Sequence, residues 1–412
     1  MSKLFKNKLS RCLLLYFLLL VIYTIFSYSL TAPNLVLSNW SPYWRFQTWM
    51  WANFFNNRQL LTGTYLILLV SLFMTYFRII KIWPKTQQGE WQSQRRYPGV
   101  KMVWWLPLLI ASPLVLSNNA LSYDVFNYIF NAKMVVAYQA NPHLQTALSF
   151  ATDDWTRFMH NTHTPAPYFY GWTGLSLLPY FLGGGKFLST WLIFRLFSFL
   201  SLGLLSLSLV KNIKKQNIWL PLLLLNPLLL IEVVSNVHND LWMMTPALTA
   251  ILLATRKKTS KNILISFTLL LFSASIKLAT LALIPIWLAL VLPWKKAWPK
   301  LHKFIIGNWP FLTSVLLFLP LLTPRSKQFL PWYLIWSLVW LPLINKKWQA
   351  WKISLIILSI SSMLRYIPYF WAGNYQENII FQQRLITWTP FILFWIINFF
   401  IASWRARTAR LQ

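Results

Sequence analysis

The chain has seven acidic residues among its 412: Glu90, Asp124, Asp153, Asp154, Glu232, Asp240 and Glu377. Proton transfer from a hydroxyl needs a positioned base, and a carboxylate is one of the few groups that serve. Asp124 lies in LSYDVFNYIFNAKMVVAYQANPH, from Leu121 to His143. There it either caps a helix start, a position that favours Asp, or acts as that base. Glu232, His238, Asn239 and Asp240 share NPLLLIEVVSNVHND, from Asn226 to Asp240. Glu232 falls in or near a membrane, where an ionisable group is costly and often functional. The bland reading is a set of polar residues capping two helix ends. His238 and Asp240 alone are too few for a structural metal site; the adjacent Asp153 and Asp154 keep a metal open. Lys277 sits at the tip of a short turn in ASIKLATLALIP, and Arg325 with Lys327, Arg365 and Arg384 flank two later loops. Singly, these cations read as side chains snorkelling to an interface. Together they form a basic lining able to hold a phosphate.

The elements that position these groups are set by composition. Hydrophobic residues make up 57% of the chain and charged residues 11%, with 38 Lys and Arg giving a net charge of +31. A soluble nucleic-acid binder of this size needs a charged surface that 11% cannot cover. The single cysteine, Cys12, excludes a disulfide scaffold. The solvent for such a chain is a bilayer, and a span takes about 20 mostly apolar residues. Spans are expected near 12–30, 60–79, 102–117, 187–210, 218–235, 241–255, 262–276, 278–293, 304–323, 331–345, 352–369 and 385–403. Seven basic clusters, near 1–11, 78–101, 211–216, 256–261, 294–303, 346–352 and 404–412, fall on one side with this count. The positive-inside rule makes that side cytoplasmic, together with both termini. A full span at 171–185 would reverse every later cluster, so that Pro- and Gly-containing stretch is expected to re-enter. The basic start and long apolar run at the N-terminus read as an uncleaved anchor. Neither a repeat nor a separate soluble domain is evident, so 1–412 reads as one integral-membrane domain.

On this topology six of the seven acids lie at or near the outer face. The largest outer loop, 118–170, opens with a segment in which Asp124, Asn127, Tyr128, Asn131 and Tyr138 share one helical face. Val125, Phe126, Ile129, Phe130, Val136 and Ala137 cover much of the rest. This predicts an amphipathic helix lying on the membrane and ending before Asn141-Pro142. Asn39–Asn57, dense in Trp and Phe, predicts a second interfacial helix. Trp40, Trp44, Trp49, Trp51, Trp155, Trp172 and Trp371 read as interface anchors or, for some, as sugar-stacking rings.

The ordered motifs resemble those of the multi-spanning GT-C glycosyltransferases, in particular polyprenol-phosphate-mannose-dependent mannosyltransferases. They are SYDVFNYIF, YQANPH, YFYGWTGLSLLP, NPLLLIEVVSNVHND, SIKLATLALIP and FLPWYLIWSLVWLPL, and they cover roughly 121–343. His143 stands where the family has an aromatic residue, Trp172 replaces the Pro of its Y-G-P, and two spans precede its usual first one. The resemblance implies an all-α, GT-C-like bundle of about 12–13 membrane helices, with an outer-face catalytic loop carrying interfacial helices. It implies transfer of a hexose, such as mannose, from a polyprenyl-phosphate sugar to a glycan or lipid hydroxyl outside the cell membrane. The family's catalytic carboxylate maps onto Asp124 and its His-Asn-Asp motif onto His238, Asn239 and Asp240. Glu232, Lys277, Arg325, Arg365, Arg384, Tyr128 and Asn141 complete the expected donor-binding set. One displacement would invert the anomeric centre, and a lipid monophosphate can be held by Lys and Arg without a metal or other cofactor. A transporter or flippase for a lipid-linked sugar is the alternative. Such proteins favour repeats and midplane sites, whereas these acids cluster at span ends. A degenerate, non-catalytic subunit is a third reading, against which the retained Asp124 argues.

Overall fold

The computed structural model describes residues 8–31, 35–83, 102–213, 218–294, 296–322 and 329–411. Among them every regular element is helical and no strand occurs. In chain order the helices are α1 (Lys8–Ser27), α2 (Ser41–Met50), α3 (Arg58–Ile82), α4 (Leu106–Ala111), α5 (Asp124–Ala137) and α6 (Tyr170–Leu182). Then come α7 (Phe187–Asn212), α8 (Trp219–Leu224), α9 (Pro227–Leu230), α10 (Asp240–Ala254), α11 (Ser260–Ile276) and α12 (Ile284–Val291). The last are α13 (Pro299–Phe318), α14 (Ile335–Leu338), α15 (Gln349–Leu364), α16 (Ile367–Ala372) and α17 (Glu377–Leu411). The expected Glu90, Arg325 and Lys327 lie outside the described residues, as do parts of the basic clusters.

Among the described residues, six helical segments are long and apolar enough to cross a membrane: Lys8–Leu30, Arg58–Ile82, Phe187–Asn212, Pro299–Leu322, Lys346–Ala372 and Glu377–Trp404. The chain is an all-α, multi-pass membrane protein. Four more expected spans are shorter apolar helices, Leu106–Leu116, Asp240–Ala254, Ser260–Ile276 and Leu278–Val291. The remaining two, 218–235 and 331–345, are broken. In the first, the Asn226-Pro227 pair separates α8 from α9, which runs on into a π-turn over Ile231–Ser235. The Asn226 side chain accepts from Leu228 N at 2.9 Å and restarts the helix, with Pro227 in the first turn, where its missing N–H costs nothing.

Contacts between helix ends fix how the bundle is assembled. At one end Ser27 Oγ accepts from Asn118 N at 2.7 Å, and Ser117 donates to Ser235 Oγ at 2.7 Å. The start of α10 meets the end of α11 there through Asp240 and Lys277. At the opposite end Trp348 Nε1 donates to Asn308 Oδ1 at 2.8 Å, and Arg256 bonds Asn212. Lys211, Lys257, Lys258, Lys300, Lys303, Lys346 and Lys347 gather at this second end. The acids and the bulk of the bases therefore occupy opposite ends.

The 171–185 stretch forms α6, 13 residues long, about 20 Å at 1.5 Å per residue and short of a hydrocarbon core of about 30 Å. Phe169, just before it, donates to Ile276 O at 3.0 Å, and Gly183, just after it, packs on Thr190 in the first turn of α7. Both ends of α6 thus remain at the acid-bearing end. Gly184 and Gly185 make the return with φ of +62° and +69°, a region glycine enters without strain.

One expectation is corrected. The helix over 124–137 forms, but it does not lie on a membrane surface. Val125, Phe126, Tyr128, Ile129, Phe130, Asn127 and Asn131 are all buried, on the polar as well as the apolar face. The chain after it folds back over it: Phe126 packs on Phe158, Phe130 on Phe150, Tyr138 stacks on Phe150 and Tyr128 meets Trp172 of α6 edge-on. The aromatic loop supplies the apolar cover that lipid would otherwise give. The 41–55 stretch is helical as expected, with Trp40, Trp44 and Trp49 exposed and Gln47, Met50 and Trp51 turned inward.

Candidate active site

Asp124 is the first residue of α5, but its carboxylate does not cap that helix; the N-cap position is Tyr123, whose side chain does not cap it either. Instead Asp124 Oδ2 accepts a 2.5 Å hydrogen bond from Tyr168 and lies 3.5 Å from His238 Nδ1. Tyr168 in turn accepts from Tyr128 at 3.3 Å. No hydrogen bond among the described residues reaches Asp124 Oδ1. The Asp124 side chain is 19% exposed, whereas His238 is fully buried.

His238 stands between two carboxylates, its Nε2 lying 3.4 Å from Glu232 Oε2. Both separations are ion-pair distances, and neither has hydrogen-bond geometry. Glu232, fully buried on the π-turn, accepts from Tyr366 at 2.9 Å through Oε1 and from Asn236 at 2.9 Å through Oε2. His238 stacks on Trp332, centroids 3.7 Å apart. The turn that aims it is strained: Val237, β-branched, has φ of +62°, a conformation that costs about 1–3 kcal/mol and persists where neighbours over-determine it. π-turns are themselves frequent at functional sites.

Burial pushes the His238 imidazolium down, but Asp124 and Glu232 outweigh it and raise its pKa to about 9. Burial likewise opposes the Asp124 charge, yet His238, Tyr168 and Lys277 hold that carboxyl below its ordinary value. Burial and the Asp124 charge keep the Tyr168 hydroxyl well above its usual range, so it stays a donor. The site therefore contains a standing carboxylate with one oxygen free. Asp124, His238 and Glu232 lie in a row, an order suited to sharing protons rather than to binding one ion at a common point.

Lys277 donates to Asp240 Oδ1 at 2.7 Å, where Trp336 Nε1 also donates at 2.5 Å. The ammonium is surrounded by Tyr168, Trp336 and Tyr333 at 5.1, 5.8 and 6.0 Å. The Phe169–Ile276 backbone bond places Tyr168 beside Lys277. Asn239 is fully buried; both atoms of its amide, and Asp240 Oδ2, have no hydrogen-bond partner among the described residues. Arg365 is buried beside Tyr366, within electrostatic reach of Arg384 and Tyr375, and Tyr375 reaches Tyr123 in the same way.

The structure thus gathers Asp124, Tyr128, Glu232, His238, Asn239, Asp240 and Lys277, with Arg365 and Arg384 alongside. Asn141 is not among them. It closes the turn after α5, accepting from His143 N at 2.9 Å and approaching Tyr170 at 3.4 Å. Asp153 is engaged elsewhere, by Lys133 at 2.5 Å and by Tyr138 and Trp155 N. Four contributors escaped the residue-by-residue reading: Tyr168, Tyr366, Trp332 and Trp336. Three of these fall in the YFYG and PWYLIWS motifs; Tyr366 carries no local signal. Arg195 is fully buried in α7 and donates to Leu114 O, Val115 O, Ser117 and Asn119 at 2.6–2.8 Å. It clamps the strand of chain leading to Asp124.

Neither the curated proteins nor the solved structures yielded a match. Residues 22–293 match the model of the MptA_B family, the N-terminal domain of alpha-(1->6)-mannopyranosyltransferases. That match spans Asp124, Glu232, His238, Asn239, Asp240 and Lys277 and most of the chain. The protein is a member of this mannosyltransferase family, a multi-pass membrane glycosyltransferase.

Proposed function

We propose that the protein moves mannose from a polyprenyl-phosphate carrier to an acceptor hydroxyl, with Asp124 as general base and inversion at the anomeric carbon. The observation that carries this reading is the Asp124 carboxylate: held ionised, bonded through Oδ2 only, in a mannosyltransferase chain. In the step, Asp124 Oδ1 takes the acceptor's hydroxyl proton as that oxygen bonds the anomeric carbon. The bond from that carbon to the phosphate oxygen breaks, and the lipid phosphate leaves with the electron pair. Such a base contributes about 10²–10⁴-fold. The leaving phosphate's charge calls for preorganised cations. Arg365 and Arg384 supply them, and Lys277 adds its field from its place on Asp240. Asn239 and Asp240 Oδ2 offer unpaired polar atoms for sugar hydroxyls. A monophosphate held this way calls for no metal or cofactor.

Sidedness follows from charge. The bulk of the bases gather at the end opposite the acids. The positive-inside rule makes that end cytoplasmic, which puts the site on the outer face, within loop 118–170 and its neighbours. The acceptor is a glycan or lipid reached from there.

The test is a donor screen of the purified full-length protein, with and without chelator. It compares polyprenyl-phosphate mannose, glucose, galactose and arabinose with a nucleotide-activated mannose. Transfer from the lipid-linked mannose, unaffected by chelator, is expected. Transfer from the nucleotide sugar alone would overturn the donor assignment, and loss of activity to chelator restored by Mg²⁺ or Mn²⁺ would overturn the metal-free step.

A further inference from the structure

We propose that Glu232 is a positioning residue that works through His238: it holds the ring as the imidazolium, whose Nδ1 side pairs with Asp124 Oδ2 at ion-pair distance and leaves Oδ1 as the proton acceptor. The inference rests on the reading of Asp124 as the base. It starts from geometry. Each ring nitrogen of His238 faces a carboxylate oxygen, at 3.5 and 3.4 Å. A neutral imidazole has one donor and one acceptor, and its acceptor nitrogen would then confront an acid. Only the imidazolium satisfies both sides.

The second carboxylate is built in. Glu232 is fully buried, yet both its oxygens are bonded, by Tyr366 and Asn236. Its burial in an apolar bundle is costly unless it is paired, and the group it pairs with besides these two is His238. The groups facing His238 are Asp124 from α5, Glu232 from the π-turn and the Trp332 ring. Tyr168 and Lys277 act on it through Asp124, and Tyr366, Tyr23 and Tyr65 through Glu232. The rise of His238 to about 9, against the effect of burial, is what two flanking carboxylates would produce. The proton count on His238 stays constant through transfer. The acceptor's proton goes to Asp124 Oδ1, and the imidazolium keeps Asp124 ionised between turnovers.

This arrangement has a pH signature. Activity should fall as pH rises through the His238 value near 9. Removing the Glu232 charge lowers that value, so the falling limb moves toward neutral pH. The experiment measures kcat and KM from pH 6 to 10 for wild type, Glu232→Gln and His238→Gln, with Asp124→Asn as control. Glu232→Gln preserves shape and an acceptor for Tyr366. Its kcat is expected to drop about 10-fold or more, with KM within about twofold and the alkaline limb moved down by about one pH unit. His238→Gln should abolish the limb, which keeps the test open if Glu232→Gln does not fold. An unmoved limb in Glu232→Gln, whatever its kcat, or a persisting limb in His238→Gln, would overturn the proposal. Full activity of Asp124→Asn would overturn the base assignment instead; inactivity of Asp124→Asn with an unmoved Glu232→Gln limb fails only the relay.

Discussion

At the scale of single residues, the site divides the labour between two oxygens of one carboxylate. Tyr168 and His238 both engage Asp124 Oδ2, which orients the group without occupying Oδ1, the oxygen proposed to accept a proton. A hydrogen bond to a charged group contributes about 1.5–3 kcal/mol, so Tyr168→Phe is expected to lower kcat roughly 10- to 100-fold. Donor KM should be little changed, as steady-state kinetics would show. Much of this was legible in the residue string. Asp124, Glu232, Asp240 and Lys277 stand out because charge is scarce in a chain with 11% charged residues, and His238 and Asn239 stand directly before Asp240. Their partners were not legible, because a tyrosine or tryptophan is unremarkable among 73 aromatic residues, derived from 30 Phe, 26 Trp and 17 Tyr. Tyr366 reaches Glu232 across 134 positions of chain, which no local pattern encodes.

At the scale of elements, broken helices do the positioning. The Asn226-Pro227 restart, the π-turn and the left-handed Val237 turn His238 toward α5. The proline and asparagine of that break can be read from sequence; the π-turn and the backbone strain depend on packing. Likewise the polar face of α5 was visible from its spacing, while the cover over its other face came from residues 147–187 and was not. The close approach of α6 to α11 depends on Gly171. A Cβ there would fall 2.1 Å from Ser275 Oγ and 2.6 Å from Ser275 O. Because the backbone is part of the clash, side-chain rotation cannot relieve it. Gly171→Ala is expected to destabilise by about 1–3 kcal/mol and to lower kcat, since Tyr168 and Lys277 are joined through this contact. Thermal melting in detergent checks the first effect. The double variant with Ser275→Ala should recover only part of it.

At the scale of the whole molecule, the chain sorts its charges by end. The acids of the site lie where α1, α11 and α15 finish and where α5, α7 and α10 begin, while the described basic clusters mark the other end. An epitope inserted after Gln145 should be accessible to antibody in intact cells. Reactivity only after permeabilisation would reverse the orientation. The two-thirds of the chain from residue 22 to 293 that carries the family match holds Asp124, Glu232 and His238. The remainder contributes Trp332, Trp336, Arg365, Tyr366 and Arg384 to the same end, so the C-terminal third is part of the site rather than an appendage. The account turns on Asp124, and its most direct test is single-turnover transfer from polyprenyl-phosphate mannose by wild type and Asp124→Asn, with donor binding measured in parallel. The account predicts donor binding retained and transfer slowed by about 10²–10⁴-fold. Transfer at the wild-type rate with Asn at position 124 would contradict it.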